Sequence, residues 1–122
     1  MNKLKILCTF SLDDFASVEK PLPSLATIPL GLGYVATSLK KNGFDVSVVV
    51  LTRETDIEKT YLSLFERYSK ILVCLSCVSS QYAFMLSVAK RLKQIRSDVR
   101  ILMGGCHASL NPEDVIKDSR LS

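Results

Sequence analysis

Short apolar runs alternate along this chain with stretches of helical period. Leu4 to Phe10 has the length and composition of a strand. A polar loop follows, residues 11 to 28, with Pro21 and Pro23; loops of that length inside a compact domain tend to be functional or mobile. Pro29 suits a first helical turn, and Leu32, Val35, Ala36 and Leu39 then repeat at helical spacing until Gly43 stops the helix. Asp45 to Leu51, dense in valine, is the second strand. Thr55 and Glu58 have capping-box spacing for a second helix, with Ile57, Tyr61, Leu64, Phe65 and Tyr68 as its buried stripe. Ile71 to Ser76 is the third strand. The third helix runs from about Ser80 to Arg96, with Met85, Val88, Ala89, Leu92 and Ile95 facing inward. Arg100 to Met103 is the fourth strand, ending in Gly104-Gly105. Asn111 and Pro112 open a fourth helix as N-cap and first residue, with Glu113 and Asp114 favourable in its first turn.

Strands that alternate with helices build a parallel sheet with right-handed crossovers. The expected fold is α/β and doubly wound, flavodoxin-like or Rossmann-like, with strand order 2-1-3-4. Residues 1–122 make one domain. The pattern ends before a fifth strand, which would leave strand 4 as a bare edge. The sequence therefore reads as a fragment of a longer protein.

Composition narrows the function classes. Apolar residues make up 48% and charged residues 23% of the chain, enough apolar surface for a packed core. The net charge is +4, but Lys40, Lys41, Lys90, Arg91, Lys93 and Arg96 are spread over helix faces with no aromatic platform beside them. A solvated surface is expected, with no nucleic-acid partner. No apolar run approaches the ~20 residues of a membrane helix, and no secretory leader pattern opens the chain. A cytoplasmic location with no membrane partner is the expectation.

The cysteines stand at 8, 74, 77 and 106. Cys74 and Cys77 make a C-x-x-C, yet on a strand rather than at a helix start, and a metal site would have only Cys106 and His107 to add. Buried, unpaired thiols are the expected state, with redox and metal roles as the alternatives.

In a doubly wound sheet, ligands sit beyond the carboxyl ends of the strands. Meeting there are Pro29-Leu30-Gly31-Leu32-Gly33, Ser76-Cys77-Val78-Ser79-Ser80, Gly104-Gly105-Cys106-His107 and the tip after strand 2. Glycine lets a ligand approach the backbone, and serine hydroxyls offer hydrogen bonds. Each piece also has a purely architectural explanation. Gly104-Gly105 can be a tight turn, Gly31 and Gly33 can allow close packing of the first helix, and Ser79 and Ser80 can cap the third. Neither a dinucleotide fingerprint nor a P-loop is present. Asp13 and Asp14 follow strand 1, but Ser76-Cys77 stands where a phosphorylated receiver domain would need an aspartate. No residue is singled out as catalytic, and His107 reads as structural or ligand-touching.

Three segments carry a resemblance: Pro29-Leu30-Gly31-Leu32-Gly33-Tyr34-Val35-Ala36, Leu39-Lys40-Lys41-Asn42-Gly43-Phe44-Asp45-Val46 and Gly104-Gly105-Cys106-His107-Ala108. They resemble the N-terminal cobalamin-binding domain of B12-dependent radical S-adenosylmethionine enzymes, a group with methyltransferases and the anaerobic magnesium-protoporphyrin ester cyclase. Ser76-Cys77-Val78 is similar to the S-x-L element of cobalamin domains such as that of methionine synthase. Gly33 matches the last glycine of their D-x-H-x-x-G. Leu30 then stands at the position of the cobalt-ligating histidine, and Ile28 at that of its aspartate.

The resemblance implies cobalamin bound with its tail detached from cobalt and no protein histidine in its place. Leu30, Gly31 and Gly33 would be among the cofactor-binding residues. Ser76, Val78 and Ser79 would line the tail channel. Gly104 and Gly105 would let the tail pass strand 4, with Cys106 and His107 at its mouth. It also implies a C-terminal radical domain with a 4Fe-4S cluster and S-adenosylmethionine; the cluster motif is absent from these 122 residues, so this stretch alone is not expected to do radical chemistry. The alternatives are a flavodoxin-like module for another ligand, such as flavin, and a regulatory or interaction domain with none.

Overall fold

The computed structural model describes residues 4–11, 30–52, 54–77, 81–105, 113, 116 and 117. Four strands, β1 (Leu4–Ser11), β2 (Asp45–Leu51), β3 (Lys70–Ser76) and β4 (Arg100–Gly104), alternate with three helices, α1 (Leu30–Lys41), α2 (Ile57–Phe65) and α3 (Tyr82–Ile95). The strands form one parallel sheet in the order β2-β1-β3-β4, the flavodoxin-like α/β order that the sequence pattern predicts. Ser11 extends β1 and Gly104 extends β4 by one residue beyond the sequence reading, and Lys70 starts β3 one residue earlier. Of the predicted fourth helix, Glu113 and Ile116 are helical, and the Lys117 N–H donates to the Glu113 carbonyl. Its predicted start at Asn111 and Pro112 lies outside the described residues.

The two faces of the sheet are unequal. α2 and α3 cover one, where Leu7, Val49, Val73 and Leu75 of the sheet pack on Ile57, Tyr61, Phe65, Met85, Val88 and Leu92. α1 lies on the other, over the smaller cluster of Ile6, Cys8, Ala36, Val46 and Cys74. Leu32 and Leu39 pack against that cluster, as the helical spacing predicts, but Val35 is 48% exposed and flanks it. A parallel sheet with helices on both sides tolerates apolar residues on both of its faces, hence the nearly unbroken burial of β1.

Buried polar groups on the larger face are paired. The Thr9 and Tyr61 hydroxyls lie 2.7 Å apart in the core. At the amino end of the sheet the Lys5 ammonium meets the Asp45 carboxylate at 2.7 Å and stands over the Tyr68 ring.

Two details correct the sequence reading. The N-cap of α2 is Asp56, whose side chain accepts from the Lys59 N–H at 3.1 Å. Thr55 instead closes the preceding turn, its hydroxyl accepting from the Thr52 N–H. Arg96 is not simply part of a solvated basic face. Its guanidinium donates to the carbonyls of Phe65, Tyr68 and Ser69 and to the Asp98 carboxylate. The last carbonyls of a helix have no partner within it, so the end of α3 supplies donors to the end of α2. The planar five-donor guanidinium suits this task, and an ammonium does not.

Arg96→Ala is therefore expected to destabilise the fold by about 2 kcal/mol, the scale of losing charge-assisted hydrogen bonds to carbonyls. Arg96→Lys should recover less than half of that. Urea unfolding of the three proteins checks it, and equal stability of Arg96→Lys and the parent would contradict the role given to the guanidinium.

Burial pushes the Tyr61 hydroxyl up to about 12, and the Cys74 and Cys77 thiols up to about 11, from ordinary values of 10.0 and 9.0. The folded chain then holds these protons at pH values where the unfolded chain has released them. Their stabilising effect is whole below about pH 9 and is lost as pH rises through 11 and 12. The urea midpoint should fall between pH 9 and 11, and a flat profile across that window would contradict the burial of these groups.

Candidate functional site

Parallel pairing fixes which side chains share a face. Paired residues project to the same side, and successive residues alternate. On the α1 side, Val48, Cys8, Cys74 and Leu102 form one row across the sheet. The next row toward the carboxyl ends holds Val50, Phe10, Ser76 and Gly104, with Val50 paired to Phe10 and Ser76 paired to Gly104. α1 packs over Cys8 and Cys74 of the first row. The β4 part is open: Leu102 is 58% exposed, and a Cβ placed on Gly104 meets no described atom within 4 Å. Ser76, half-buried, stands beside this opening.

The two glycines after Met103 therefore have different reasons to be there. Gly105 has φ +94°, and a Cβ on it would lie 2.7 Å from the Cys77 carbonyl oxygen and 3.1 Å from the Ser76 hydroxyl. Only glycine fits that turn. Gly104 has no such constraint. It is an ordinary strand residue whose missing side chain leaves a notch facing the α1 side.

The notch is held by backbone contacts. The Cys77 N–H donates to the Gly104 carbonyl at 3.3 Å, tying the end of β3 to that of β4. The Gln81 amide donates to the Ser11 carbonyl at 3.2 Å, tying the start of α3 to the end of β1. Behind the sheet, the buried Cys77 thiol lies 3.4 Å from the Met103 sulfur. Burial raises this thiol's pKa, so at neutral pH it stays protonated.

Of the residues singled out in the sequence, Ser76 and Gly104 are brought together as direct partners, with Gly105 adjoining. Leu30 is the first residue of α1, and the parallel topology sets that helix start at the same end of the sheet. Gly31 and Gly33 are exposed, and a Cβ on either meets nothing within 4 Å. They do not serve close packing of α1 on the sheet. Gln81, not a serine, occupies the N-cap position of α3, and its side chain makes no capping bond. Val78, Ser79, Ser80, Cys106 and His107 lie outside the described residues. Leu102, the exposed floor next to Gly104, was missed by the sequence reading; its place two residues before Gly104 on one strand was the available signal.

The site suits a ligand that lays an elongated group along the open half of the α1 face, close to backbone at Gly104 and within reach of the Ser76 hydroxyl. Cobalamin's nucleotide tail is elongated and rich in hydrogen-bond acceptors, its phosphodiester included, so the residues present fit the cofactor that the sequence motifs imply. No curated protein and no solved structure matches this chain. One family model does, described as B12 binding domain, over residues 24–121. The matched stretch includes α1, Ser76 and both glycines, and the chain belongs to the family of B12-binding domains.

Proposed function

We propose that this chain is the cobalamin-binding module of a B12-dependent radical S-adenosylmethionine enzyme, of the methyltransferase or ester cyclase type, and that it holds the corrin with no protein histidine on cobalt. The observation that carries the binding site is the Gly104 notch beside Ser76. Cobalamin supplies a cobalt centre that serves as methyl carrier or redox group; the chain supplies position and surroundings. Ser76 offers a hydroxyl to the tail, Gly104 gives it room, and Gly31 and Gly33 leave the first turn of α1 bare toward a flat ligand. Support for the absent histidine comes from the sequence. The chain has one histidine, His107, which follows β4, whereas the motif position before Gly33 is Leu30. The radical domain, its 4Fe-4S cluster and S-adenosylmethionine belong to the parent enzyme in this reading, and the setting is cytoplasmic.

Mixing the protein with hydroxocobalamin should shift the cofactor's absorption. After reduction, the Co(II) EPR spectrum should lack nitrogen hyperfine splitting from a protein imidazole. Such splitting would overturn the histidine-free site. An unshifted spectrum, with flavin bound instead, would favour a different flavodoxin-like module.

The two glycines give a sharper test. Gly104→Val should fold with nearly unchanged stability, because its side chain enters open space on a strand that favours branched residues. It should bind cobalamin at least ~100-fold more weakly, the scale of blocking a close backbone approach. Gly105→Ala should instead lose about 1–2 kcal/mol of stability, from a positive φ and a blocked Cβ. Undiminished binding by a folded Gly104→Val protein would show that the tail runs elsewhere.

A further inference from the structure

The edge strand β4 has few attachments, and one of them is a contact between two sulfurs. Leu75 of β3 and Met103 of β4 are register partners on the side of α2 and α3. There the Cys77 thiol donates to the Met103 thioether at 3.4 Å. The Cys77 N–H donates to the Gly104 carbonyl at 3.3 Å. Ile101 and Met103 are the β4 side chains that pack on the larger core. Among the described residues, β3 is the one ladder partner of β4.

We propose that Met103 is a redox switch: a peroxide oxidises its thioether to the sulfoxide, and the change releases the β3–β4 edge that carries the Gly104 notch. Access selects Met103 over Met85. Met85 is fully buried, whereas Met103 is only partly so and lies on an edge strand. Protonation selects it over Cys77. Peroxides attack thiolates; burial pushes the Cys77 thiol up to about 11, and a thioether has no proton to lose. In the step, an S–O bond forms at Sδ and the peroxide O–O bond breaks. Sulfur gives up two electrons and the peroxide takes two; from hydrogen peroxide the second oxygen leaves as water. The new oxygen is a polar group within an apolar cluster, so the side chain turns out toward water. The sulfur contact and the Met103 packing go with it, and β4 keeps Ile101 and its ladder. A methionine sulfoxide reductase reverses the step at the expense of two thiols, which become a disulfide as water is released.

Hydrogen peroxide, applied to the folded protein, is the probe, and peptide mapping reads Met1, Met85 and Met103 separately. Met103 should gain one oxygen about 10-fold faster than Met85, or more. In the oxidised protein the Cys77 amide should exchange hydrogen about 10-fold faster by NMR, with the amides of α2 and α3 unchanged. Methionine sulfoxide reductase with dithiothreitol should restore slow exchange. Met103→Leu keeps the apolar volume and should not respond to peroxide. Four results would each overturn the switch: Met85 oxidised as fast as Met103, an unmoved Cys77 amide in protein mapped as Met103 sulfoxide, equal acceleration throughout α2 and α3, or a Met103→Leu protein that responds like the parent. A weakening of cobalamin binding by about 10-fold on oxidation rests on the site proposed above. It is measured separately, and its absence beside a faster Cys77 amide would count against that site and not against the switch.

Discussion

The pairing of β3 with β4 is the constraint on which the rest of this site depends. A parallel ladder permits no half-steps: moving it by one residue would turn every side chain of β4 to the opposite face. With Leu72 against Arg100, Ser76 must meet Gly104, and Leu102 must lie on the side of α1 rather than in the larger core. The register is itself held by that larger core, where Ile101 and Met103 pack against the cluster that contains Val73 and Leu75. Burial on one face thus determines what is presented on the other. The site needs no special loop geometry to bring serine and glycine together; it is a by-product of aligning two apolar strands.

Much of this was legible in the sequence because the signals were local and repeated. Strand and helix alternation fixed the class and the order of strands, since chirality and short connections leave few other arrangements. That Ser76 and Gly104 lie together was legible for the same reason: both end strands, and in this fold strand ends converge. The family likeness added the identity of the ligand, which periodicity alone could not supply.

What escaped the sequence was long-range or depended on one torsion angle. Arg96 looked like any surface cation because its carbonyl partners, from Phe65 to Ser69, are about thirty residues away in sequence. The division of labour between Gly104 and Gly105 was invisible because a glycine pair reads the same whether a position needs positive φ or empty space. The cap of α2 moved by one residue, from Thr55 to Asp56. Both are good caps, and the closing of the preceding turn by Thr55 decided between them.

The inequality of the two sides of the sheet also bears on how the molecule opens. Among the described residues, the packed cluster on the α2 and α3 side holds fifteen buried side chains and that on the α1 side five. Local opening free energies follow the apolar surface that opening exposes. α1 should therefore detach from the sheet at far lower cost than α2 or α3, with its amides exchanging hydrogen well ahead of theirs. A ligand wedged along that same side would bind only the closed arrangement, and its binding energy would close the weaker half of the molecule.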